Sequence, residues 1–537
     1  MEPSRKSQLV IHPLLIAVYP SLFLYAPNAG QLQLSSLVLP LLLSVTAAAA
    51  LLVIVAIASR SWTRSGVLVS LTLLLFFHYG HARGMPGPKW IRLLNIEWVT
   101  LLNIEWITIF VCACAFTFFS RARLARLTSG LNLFAGILVA ISAFQIGTSI
   151  MRTEPQIRES FNAADLAASA IEDPPIQGGP DIYLILLDSY ARDDVLSMYY
   201  DHDNSEFTDY LKAKGFYVAD RATANYNQTG RALSACLNLG YLDELAERVG
   251  LDIYDHGPTI ESIKHSFVGD FLGARGYTSV AFETGNPNID MESVDVYLGS
   301  GLGRDYDPFH NALLNTTPIP DLRALNNGYD LFDARRNRVL YVLNQIGHVQ
   351  ALNQSPLFVF AYIEVPHPPF VFGPNGEPHQ RGNRYSLVDG NWLVKPGGME
   401  RSEYIRRYRD QLIFTNMKVR EAVDTILANA KTPPVILIFG DHGPRLELNW
   451  DDVNESNHHE SMSVLNALYL PGVDHDHLRP GLSPVNTFRI VFSEYFGQQY
   501  RLLPDRSYYS MAWKPYRFYD VTEDVLAGKP GKSVTPK

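Results

Sequence analysis

Cysteine is the scarcest reactive residue in this sequence of 537 residues, which has only three. Cys112 and Cys114 lie within an apolar run, and Cys236 stands alone in residues 151–537. Three thiols placed in this way cannot build a disulfide framework, and they exclude a zinc site made of cysteines in residues 151–537. A metal site there would have to use carboxylate, imidazole or hydroxyl groups.

Negative charge exceeds positive charge over most of the chain. Charged residues make up 18% of the sequence, and the formal net charge is −9. Residues 1–150 hold ten lysines and arginines against three acidic residues, so their net charge is +7 and that of residues 151–537 is −16. The acidic part has no long basic face, which argues against nucleic acid as a partner.

Five apolar runs occupy the first 150 residues. They are roughly Leu9–Ala26, Leu37–Ser59, Gly66–Tyr79, Val99–Ser120 and Leu131–Ile150. A membrane-spanning helix needs about 20 mostly apolar residues, and a cleaved signal peptide would contribute one run, not five. We therefore predict an integral membrane protein with a five-span α-helical transmembrane domain over residues 1–150.

The lysines and arginines between the runs predict the orientation of this domain. If the N-terminus is inside and the chain crosses five times, seven of them share the cytoplasmic side: Arg5, Lys6, Arg60, Arg64, Arg121, Arg123 and Arg126. The opposite loops hold only Arg83, Lys89 and Arg92. The second part of the chain is then expected outside the cytoplasm, in a multi-pass protein of the cell (inner) membrane whose main domain faces the periplasm or the outside.

Residues 151–179 change character between the membrane runs and the acidic part. The segment from Arg152 to Ile171 can form an amphipathic helix, and the prolines and glycines from Pro174 to Pro180 then break the chain. We predict a juxtamembrane helix and linker over 151–179. An ordinary surface helix is the alternative.

Short apolar runs alternate with helical segments, such as Ser402–Ala430, in the second part. These runs have the continuously apolar, β-rich composition of strands buried on both faces: Asp181–Leu187, Thr278–Phe282, Leu357–Glu364 and Val435–Phe439. The alternation predicts an α/β domain over residues 180–500, with a mostly parallel sheet flanked by helices, followed by a C-terminal extension over 501–537. Ligands of such sheets bind at the carboxyl ends of the strands.

Acidic and imidazole side chains follow two of the predicted strands. Asp188 comes directly after the first strand, and Asp441 and His442 follow the last strand after one glycine. Carboxylate oxygens and an imidazole nitrogen suit Zn²⁺, Mn²⁺ or Mg²⁺. The pattern predicts one divalent metal ion at these strand ends, and the alternative for each aspartate is a helix cap.

A hydroxyl and a cation lie in the loop that leads into a predicted helix. Thr229 and Arg231 occur in the segment NYNQTGRALS. A threonine at this position can be a simple helix cap, but the positive end of a helix also attracts phosphate. A hydroxyl beside a metal ion can become a nucleophile. Arg231 would then bind non-bridging oxygens, or it is only a surface charge.

Three histidines are further candidates. His367 follows the third predicted strand and is enclosed by prolines, which suits a side chain held over a site. His458 and His459 occur together later in the chain. Either could reach the same site as a substrate-binding group, although adjacent histidines usually point apart.

Four segments together resemble the alkaline phosphatase/sulfatase superfamily. They are DIYLILLDSYARDD, NYNQTGRALSACLNLGYL, YIEVPHPPF and FGDHG, in that order along the chain. Five spans before such a domain resemble its lipoteichoic acid synthase and phosphoethanolamine transferase branch. The resemblance covers roughly Asp181–Gly472 and the membrane topology, and it implies an alkaline phosphatase-like fold.

The resemblance also implies roles for the candidate residues. Asp188 takes the place of the first acidic metal ligand, Thr229 that of the metal-bound nucleophile, and Asp441 and His442 complete the metal shell. His367 matches a histidine that meets the substrate, and His458 is similar to a histidine that follows the D-H-G segment. Thr229 is followed by Gly-Arg-Ala, so the formylglycine of true sulfatases cannot form, and no clear second set of ligands is visible.

These features predict a membrane-anchored, metal-dependent phosphotransferase. It would move a phosphoglycerol or phosphoethanolamine headgroup from a membrane phospholipid to a glycan or lipid acceptor of the cell envelope, through a phosphothreonine at Thr229, with His367 as the second catalytic residue. Two alternatives stay open. One is a hydrolase of phosphate or sulfate esters, and the other is a catalytically silent binding protein.

Overall fold

The computed structural model describes most of the chain, in two compact units. The described residues are 9–29, 32, 34–84, 98–119, 124–152, 179–300, 308–322, 331–352, 356–379, 385–395 and 397–528. One unit contains Met1–Glu154 and Asp307–Asp330, and the other contains Pro155–Tyr306 and Leu331–Lys537. We call them the helical unit and the α/β unit. The predicted linker, 151–179, lies almost wholly outside the described residues.

The helices and strands are numbered here in chain order. The helices are α1 (His12–Tyr25), α2 (Val38–Ser59), α3 (Trp62–Gly84), α4 (Trp98–Phe119), α5 (Leu124–Arg152), α6 (Asp193–Tyr200), α7 (Ser205–Ala213), α8 (Thr229–Leu237), α9 (Asp243–Val249), α10 (Gly257–Lys264), α11 (Phe267–Gly273), α12 (Pro308–Asn315), α13 (Leu331–Gln345), α14 (Gly390–Val394), α15 (Arg401–Asn429), α16 (His458–Met462), α17 (Thr487–Phe496) and α18 (Thr522–Ala527). The strands are β1 (Ile182–Leu187), β2 (Tyr217–Val218), β3 (Thr278–Phe282), β4 (Val296–Leu298), β5 (Leu357–Ile363), β6 (Val435–Gly440), β7 (Asn466–Tyr469), β8 (Tyr508–Met511) and β9 (Lys514–Asp520).

Four helices of the helical unit are long and apolar enough to cross a membrane. They are Leu34–Ser59, Trp62–Arg83, Trp98–Thr117 and Leu124–Thr148. The predicted count of five is therefore wrong by one within the described residues. The first run forms only a 14-residue helix, α1, about 21 Å long at 1.5 Å per residue, whereas the apolar core of a bilayer is about 30 Å thick. α1 stops at Tyr25 because the chain tightens there into a 3₁₀ turn that contains Pro27, which has no amide hydrogen to donate.

A short segment from the second half of the sequence belongs to the helical unit. The Gly80 amide of α3 donates a hydrogen bond to the Thr316 carbonyl at 2.8 Å, and Arg83 pairs with Asp321 at 2.9 Å. The ring of Phe309 on α12 meets that of Tyr25 edge-on, with 5.7 Å between the ring centroids. The helical unit is therefore built from two separate stretches of sequence.

The α/β unit contains a seven-stranded sheet in the order β2-β7-β6-β1-β5-β3-β4. β1 pairs in parallel with both β5 and β6, and β3 pairs in parallel with β4 and β5. β7 is antiparallel to β6 and β2. The predicted fold class, an α/β domain with a mostly parallel sheet flanked by helices, is confirmed.

β1 lies at the centre of this sheet because its side chains are apolar on both faces. Tyr183, Ile185 and Leu187 pack into one buried cluster, and the residues between them pack into the cluster on the other face. Leu187, the last residue of β1, pairs in register with Gly440 of β6 and Ile363 of β5. The chain segments that leave these three strands therefore start side by side at one edge of the sheet.

The end of the chain packs beside the loop that precedes α8. β8 and β9 form an antiparallel hairpin, and Tyr508 of β8 stacks on Tyr226 with 5.6 Å between the ring centroids. Phe518 of β9 meets the same tyrosine edge-on at 5.0 Å. The described part of the predicted C-terminal extension thus supports the segment that carries Thr229.

Candidate active site

The carboxyl ends of β1 and β6 bring three of the predicted metal ligands together. Asp188, Asp441 and His442 are buried, and one ligand atom from each lies within 4.8 Å of the others. His442 Nε2 is 3.4 Å from Asp188 Oδ1 and 3.4 Å from Asp441 Oδ2. This convergence follows from the parallel register of the two strands, because each aspartate directly follows a residue of one strand pair.

Thr229 completes this group of four. It is the first residue of α8, and its Oγ1 lies 3.1 Å from His442 Nε2. Gln228 occupies the N-cap position of α8, so Thr229 is not the cap of this helix. Its hydroxyl faces the histidine and the acidic pair, at the end of the helix that favours negative charge.

In His442 and Asp441, hydrogen bonds within the protein use one atom of the side chain and leave the other atom in position to bind a metal ion. His442 Nδ1 is 2.8 Å from the Gly443 carbonyl and donates to it, which leaves the Nε2 lone pair facing the cluster. Asp441 Oδ1 accepts from the backbone amides of Ser189 at 3.1 Å and His442 at 2.9 Å. Asp441 Oδ2 is buried and has no hydrogen-bond partner among the described residues. A buried carboxylate oxygen without a donor fits a divalent cation, and the O, O, O and N donor set is one that Zn²⁺, Mn²⁺ or Mg²⁺ can use.

Burial sets the protonation of the histidine and of one aspartate in this cluster. It lowers the pKa of His442 to about 3, so the imidazole is neutral near pH 7 and can act as a ligand. Burial also raises the pKa of Asp441, because it outweighs the Thr229 hydroxyl, the Arg445 charge and the backbone amides that act in the opposite direction. An unpaired buried carboxylate is costly without a counter-charge, and a bound cation would supply one.

His367 stands next to this cluster on the loop that follows β5. Its ring centroid lies 6.4 Å from that of His442, and its amide donates to the Asp188 carbonyl at 3.0 Å. His367 Nε2 is 3.1 Å from Asp389 Oδ1, and Nδ1 contacts the Pro368 carbonyl. Burial alone would lower the pKa of His367, but the carboxylates of Asp188 and Asp389 outweigh it and raise the pKa.

Asp389 and Arg445 are site residues that the sequence motifs did not reveal. Arg445 NH2 lies 2.5 Å from Asp389 Oδ1, and Trp450 Nε1 donates to Asp389 Oδ2 at 3.2 Å. Burial would raise the pKa of Asp389, but Arg445 and His367 hold it well below its usual range. Arg445 was recognisable as a cation three residues after His442, whereas Asp389 lies in a loop without a recognisable motif.

The buried side chain of Arg231 packs between α8 and β9. Its Nε donates to the Pro515 carbonyl at 2.6 Å, NH1 contacts the Gln228 side chain, and NH2 is 3.5 Å from His256 Nδ1. Arg231 is therefore not the exposed surface charge that was one alternative. Its binding of substrate oxygens stays a prediction.

His458 and His459 point apart on the short helix α16. His458 Nε2 is 2.8 Å from the Val453 carbonyl, and His459 Nε2 is 3.1 Å from Asp194 Oδ2. Among the described residues, neither ring makes a hydrogen bond or an ion pair with the four clustered groups. Their role as substrate-binding residues stays a prediction that these contacts do not support.

No protein-family model and no curated protein matches the chain. Solved structures do match it. The C-terminal periplasmic domain of EptC from Escherichia coli is 12% identical, with 66% of this chain and 95% of that chain covered and a TM-score of 0.41; a structure of that domain in complex with Zn also matches. Lipooligosaccharide phosphoethanolamine transferase A from Neisseria meningitidis, an integral membrane protein, is 11% identical, with 90% and 94% covered and a TM-score of 0.40. A phosphonate monoester hydrolase of Agrobacterium radiobacter is 13% identical, with 65% and 91% covered and a TM-score of 0.38. These proteins belong to the superfamily that the sequence motifs resemble.

Proposed function

We propose that this chain is a membrane-anchored, metal-dependent phosphotransferase. Its substrates would be a membrane phospholipid, which donates a phosphoglycerol or phosphoethanolamine headgroup, and a glycan or lipid acceptor of the cell envelope. The observation that carries the proposal is the position of Thr229. Its Oγ1 lies 3.1 Å from His442 Nε2 at the start of α8, beside two buried aspartates that would hold a cation together with this histidine.

Thr229 is the nucleophile in this proposal. Its Oγ attacks the phosphorus of the donor, a bond from Thr229 to phosphorus forms, and the bond from phosphorus to the diacylglycerol oxygen breaks. His367 gives its proton to the diacylglycerol oxygen that leaves, and the proton lost by the Thr229 hydroxyl restores the protonated form of His367, so the step balances. An acceptor hydroxyl or amine then attacks the phosphothreonine, returns a proton to Thr229 and restores the enzyme.

The residues around Thr229 supply the electrostatics of both steps. Asp188, Asp441, His442 and Thr229 would hold one divalent ion. When bound, such an ion supplies positive charge that lowers the pKa of an adjacent hydroxyl and offsets the charge of the phosphoryl group. The N-terminus of α8 favours negative charge at the same place. His367, held in contact with Asp389, would donate the proton to the leaving oxygen.

The helical unit would anchor the enzyme in the membrane, where its phospholipid donor is found. Three arginines lie between α2 and α3 or between α4 and α5, and two more lie in the first turns of α3 and α5, which favours the cytoplasmic side for both connections. The end of α5 and the α/β unit that follows it then lie outside the cytoplasm, and this holds whether or not α1 crosses the bilayer. We therefore propose an inner-membrane enzyme with an external or periplasmic catalytic unit.

Transfer of a labelled headgroup tests the function. The purified full-length protein in detergent is incubated with a phospholipid that carries ³²P in its headgroup, with and without an envelope lipid extract. Label that moves to an acceptor supports a transferase, label released to water supports the hydrolase alternative, and untouched label with added Zn²⁺, Mn²⁺ or Mg²⁺ contradicts both.

Two threonine variants then test the nucleophile. Thr229→Ala should abolish transfer, and mass spectrometry of the quenched wild type should place a phosphoglycerol or phosphoethanolamine group on the peptide that contains Thr229. Thr522 is a matched control, because it is also the first residue of a helix, α18, and its hydroxyl binds only Asp520 and the Ser507 amide. Thr522→Ala should keep the transfer rate. A headgroup attached to another residue, or equal rates in the two variants, would contradict the mechanism.

A further inference from the structure

Tyr362 makes a short hydrogen bond to Asp188, one of the four proposed metal ligands. It is the sixth residue of β5, pairs in register with Leu186 of β1, and is almost fully buried. Its hydroxyl donates to Asp188 Oδ2 at 2.6 Å. A buried charge-assisted hydrogen bond of this length is strong and fixes the plane of the carboxylate.

The two oxygens of Asp188 consequently have different surroundings. Oδ2 is committed to Tyr362, whereas Oδ1 lies 3.4 Å from His442 Nε2 and accepts from the Ser189 hydroxyl at 3.2 Å. Asp441 shows the same division, because backbone amides occupy its Oδ1 and leave Oδ2 without a partner. Each aspartate therefore turns one oxygen toward the cluster and gives the other to the protein.

We propose that Tyr362 is a positioning residue for the metal site. Its hydroxyl occupies Oδ2 of Asp188, so that Asp188 binds a divalent cation through Oδ1 alone and in a fixed orientation. The inference rests on the proposed function, because it assumes that the cluster holds a metal. It goes beyond that function because it assigns a role in the strength and geometry of metal binding to Tyr362, a residue of the neighbouring strand that is not itself a proposed ligand.

Tyr362 can affect metal binding because residues that hydrogen-bond to a metal ligand hold that ligand in place. Ligands that are held by hydrogen bonds lose less freedom when the cation binds, and groups that orient a ligand typically change metal affinity by about 10- to 100-fold when they are removed. Without the hydroxyl of Tyr362, the carboxylate of Asp188 can rotate or offer both oxygens. Metal binding should then be weaker, and its coordination geometry should change.

The test uses the full-length protein in detergent and Zn²⁺ as the probe. The Kd for Zn²⁺ is measured by competition with a chromophoric chelator in the wild type, in Tyr362→Phe and in Tyr509→Phe. Tyr509 is the matched control, because its buried hydroxyl also donates at 2.6 Å, to the Asn449 carbonyl, and it touches none of the proposed ligands. Tyr362→Phe should weaken Zn²⁺ binding roughly 10- to 100-fold, and Tyr509→Phe should change it by less than about twofold.

A spectroscopic readout separates positioning from a general loss of stability. The visible absorption of bound Co²⁺ reports the number and arrangement of its ligands, and it should differ between the wild type and Tyr362→Phe. Either an affinity within twofold of the wild type or an unchanged Co²⁺ spectrum would overturn the proposal. So would equal weakening in Tyr509→Phe, or a Tyr362→Phe protein that fails to fold while Tyr509→Phe folds. If the wild type binds no divalent metal, the proposed function fails instead.

Discussion

His367 Nε2 lies 3.1 Å from Oδ1 of Asp389, in a buried pair at the edge of the candidate active site. The pair joins two loops that lie 22 residues apart in the sequence. Arg445 holds the same carboxylate oxygen from the other side at 2.5 Å. Asp389 thus fixes the direction in which the imidazole of His367 points.

The first prediction concerns this pair. Asp389→Asn removes the negative charge that His367 faces, so the imidazole loses both its orientation and the partner of its protonated form. We expect kcat for headgroup transfer to fall roughly 10- to 100-fold, since a positioned proton donor typically contributes at least that much. The control is Asp194→Asn, because Asp194 and His459 form a pair with the same 3.1 Å separation outside the cluster. Equal rates in both variants would remove His367 and Asp389 from the mechanism.

The strands that position the site were readable from the sequence because their apolar runs are continuous. The predicted runs Asp181–Leu187 and Val435–Phe439 match β1 and β6 within one residue at each end. That placed Asp188 and Asp441 at strand ends, but the strand order that makes them neighbours depends on long-range pairing. Asp389 could not be predicted, because its contact with His367 arises only from the packing of two loops.

The histidines at 458 and 459 illustrate a different limit of sequence reasoning. The resemblance implied a place at the site for His458, and His459 was a further candidate, yet the direction of each ring depends on a five-residue helix capped by Asn457. The first apolar run shows a similar limit. Its length suggested a span, but the 3₁₀ turn that contains Pro27 ends it after the 14 residues of α1.

The second prediction concerns membrane orientation. Asp209 is 71% exposed in the α/β unit, and Arg60 is exposed in the connection that follows α2. In intact cells, a membrane-impermeant maleimide should label Asp209→Cys, whereas it should label Arg60→Cys only after the membrane is opened. The unmodified protein, with its three cysteines, provides the background. Labelling in the reverse order would contradict an extracytoplasmic catalytic unit.

The third prediction concerns the pH dependence of stability. Burial raises the pKa of Glu460 to about 7 from a normal value of 4.5, so the folded protein holds this proton where the unfolded chain has lost it. Stability should therefore fall as the pH rises from 4.5 to 7, by on the order of 3 kcal/mol, and change no further above that range. Glu460→Gln can keep the bonds with Tyr200 and the Leu446 amide and should abolish this contribution.

The measurement is the difference in Tm between Glu460→Gln and the wild type at several pH values. The difference should favour the variant increasingly from pH 5 to pH 7 and stay constant from there to pH 8. Glu455 is an exposed glutamate on the preceding turn, and Glu455→Gln serves as the control with a constant difference. A difference for Glu460→Gln that does not depend on pH would show that this carboxyl group titrates normally in the folded protein.

The fourth prediction concerns metal removal. A cation that binds the folded cluster stabilises it by mass action, so Zn²⁺ at 100 times its Kd should add about 2.7 kcal/mol to the free energy of unfolding. A chelator should reverse this gain, which is read as a shift of Tm in the full-length protein. His442→Ala should lose the shift because its Nε2 faces both aspartates, whereas a control at the half-exposed His265, His265→Ala, should keep it. If His442→Ala keeps the full shift, the ion binds elsewhere, and the buried oxygen of Asp441 requires another explanation.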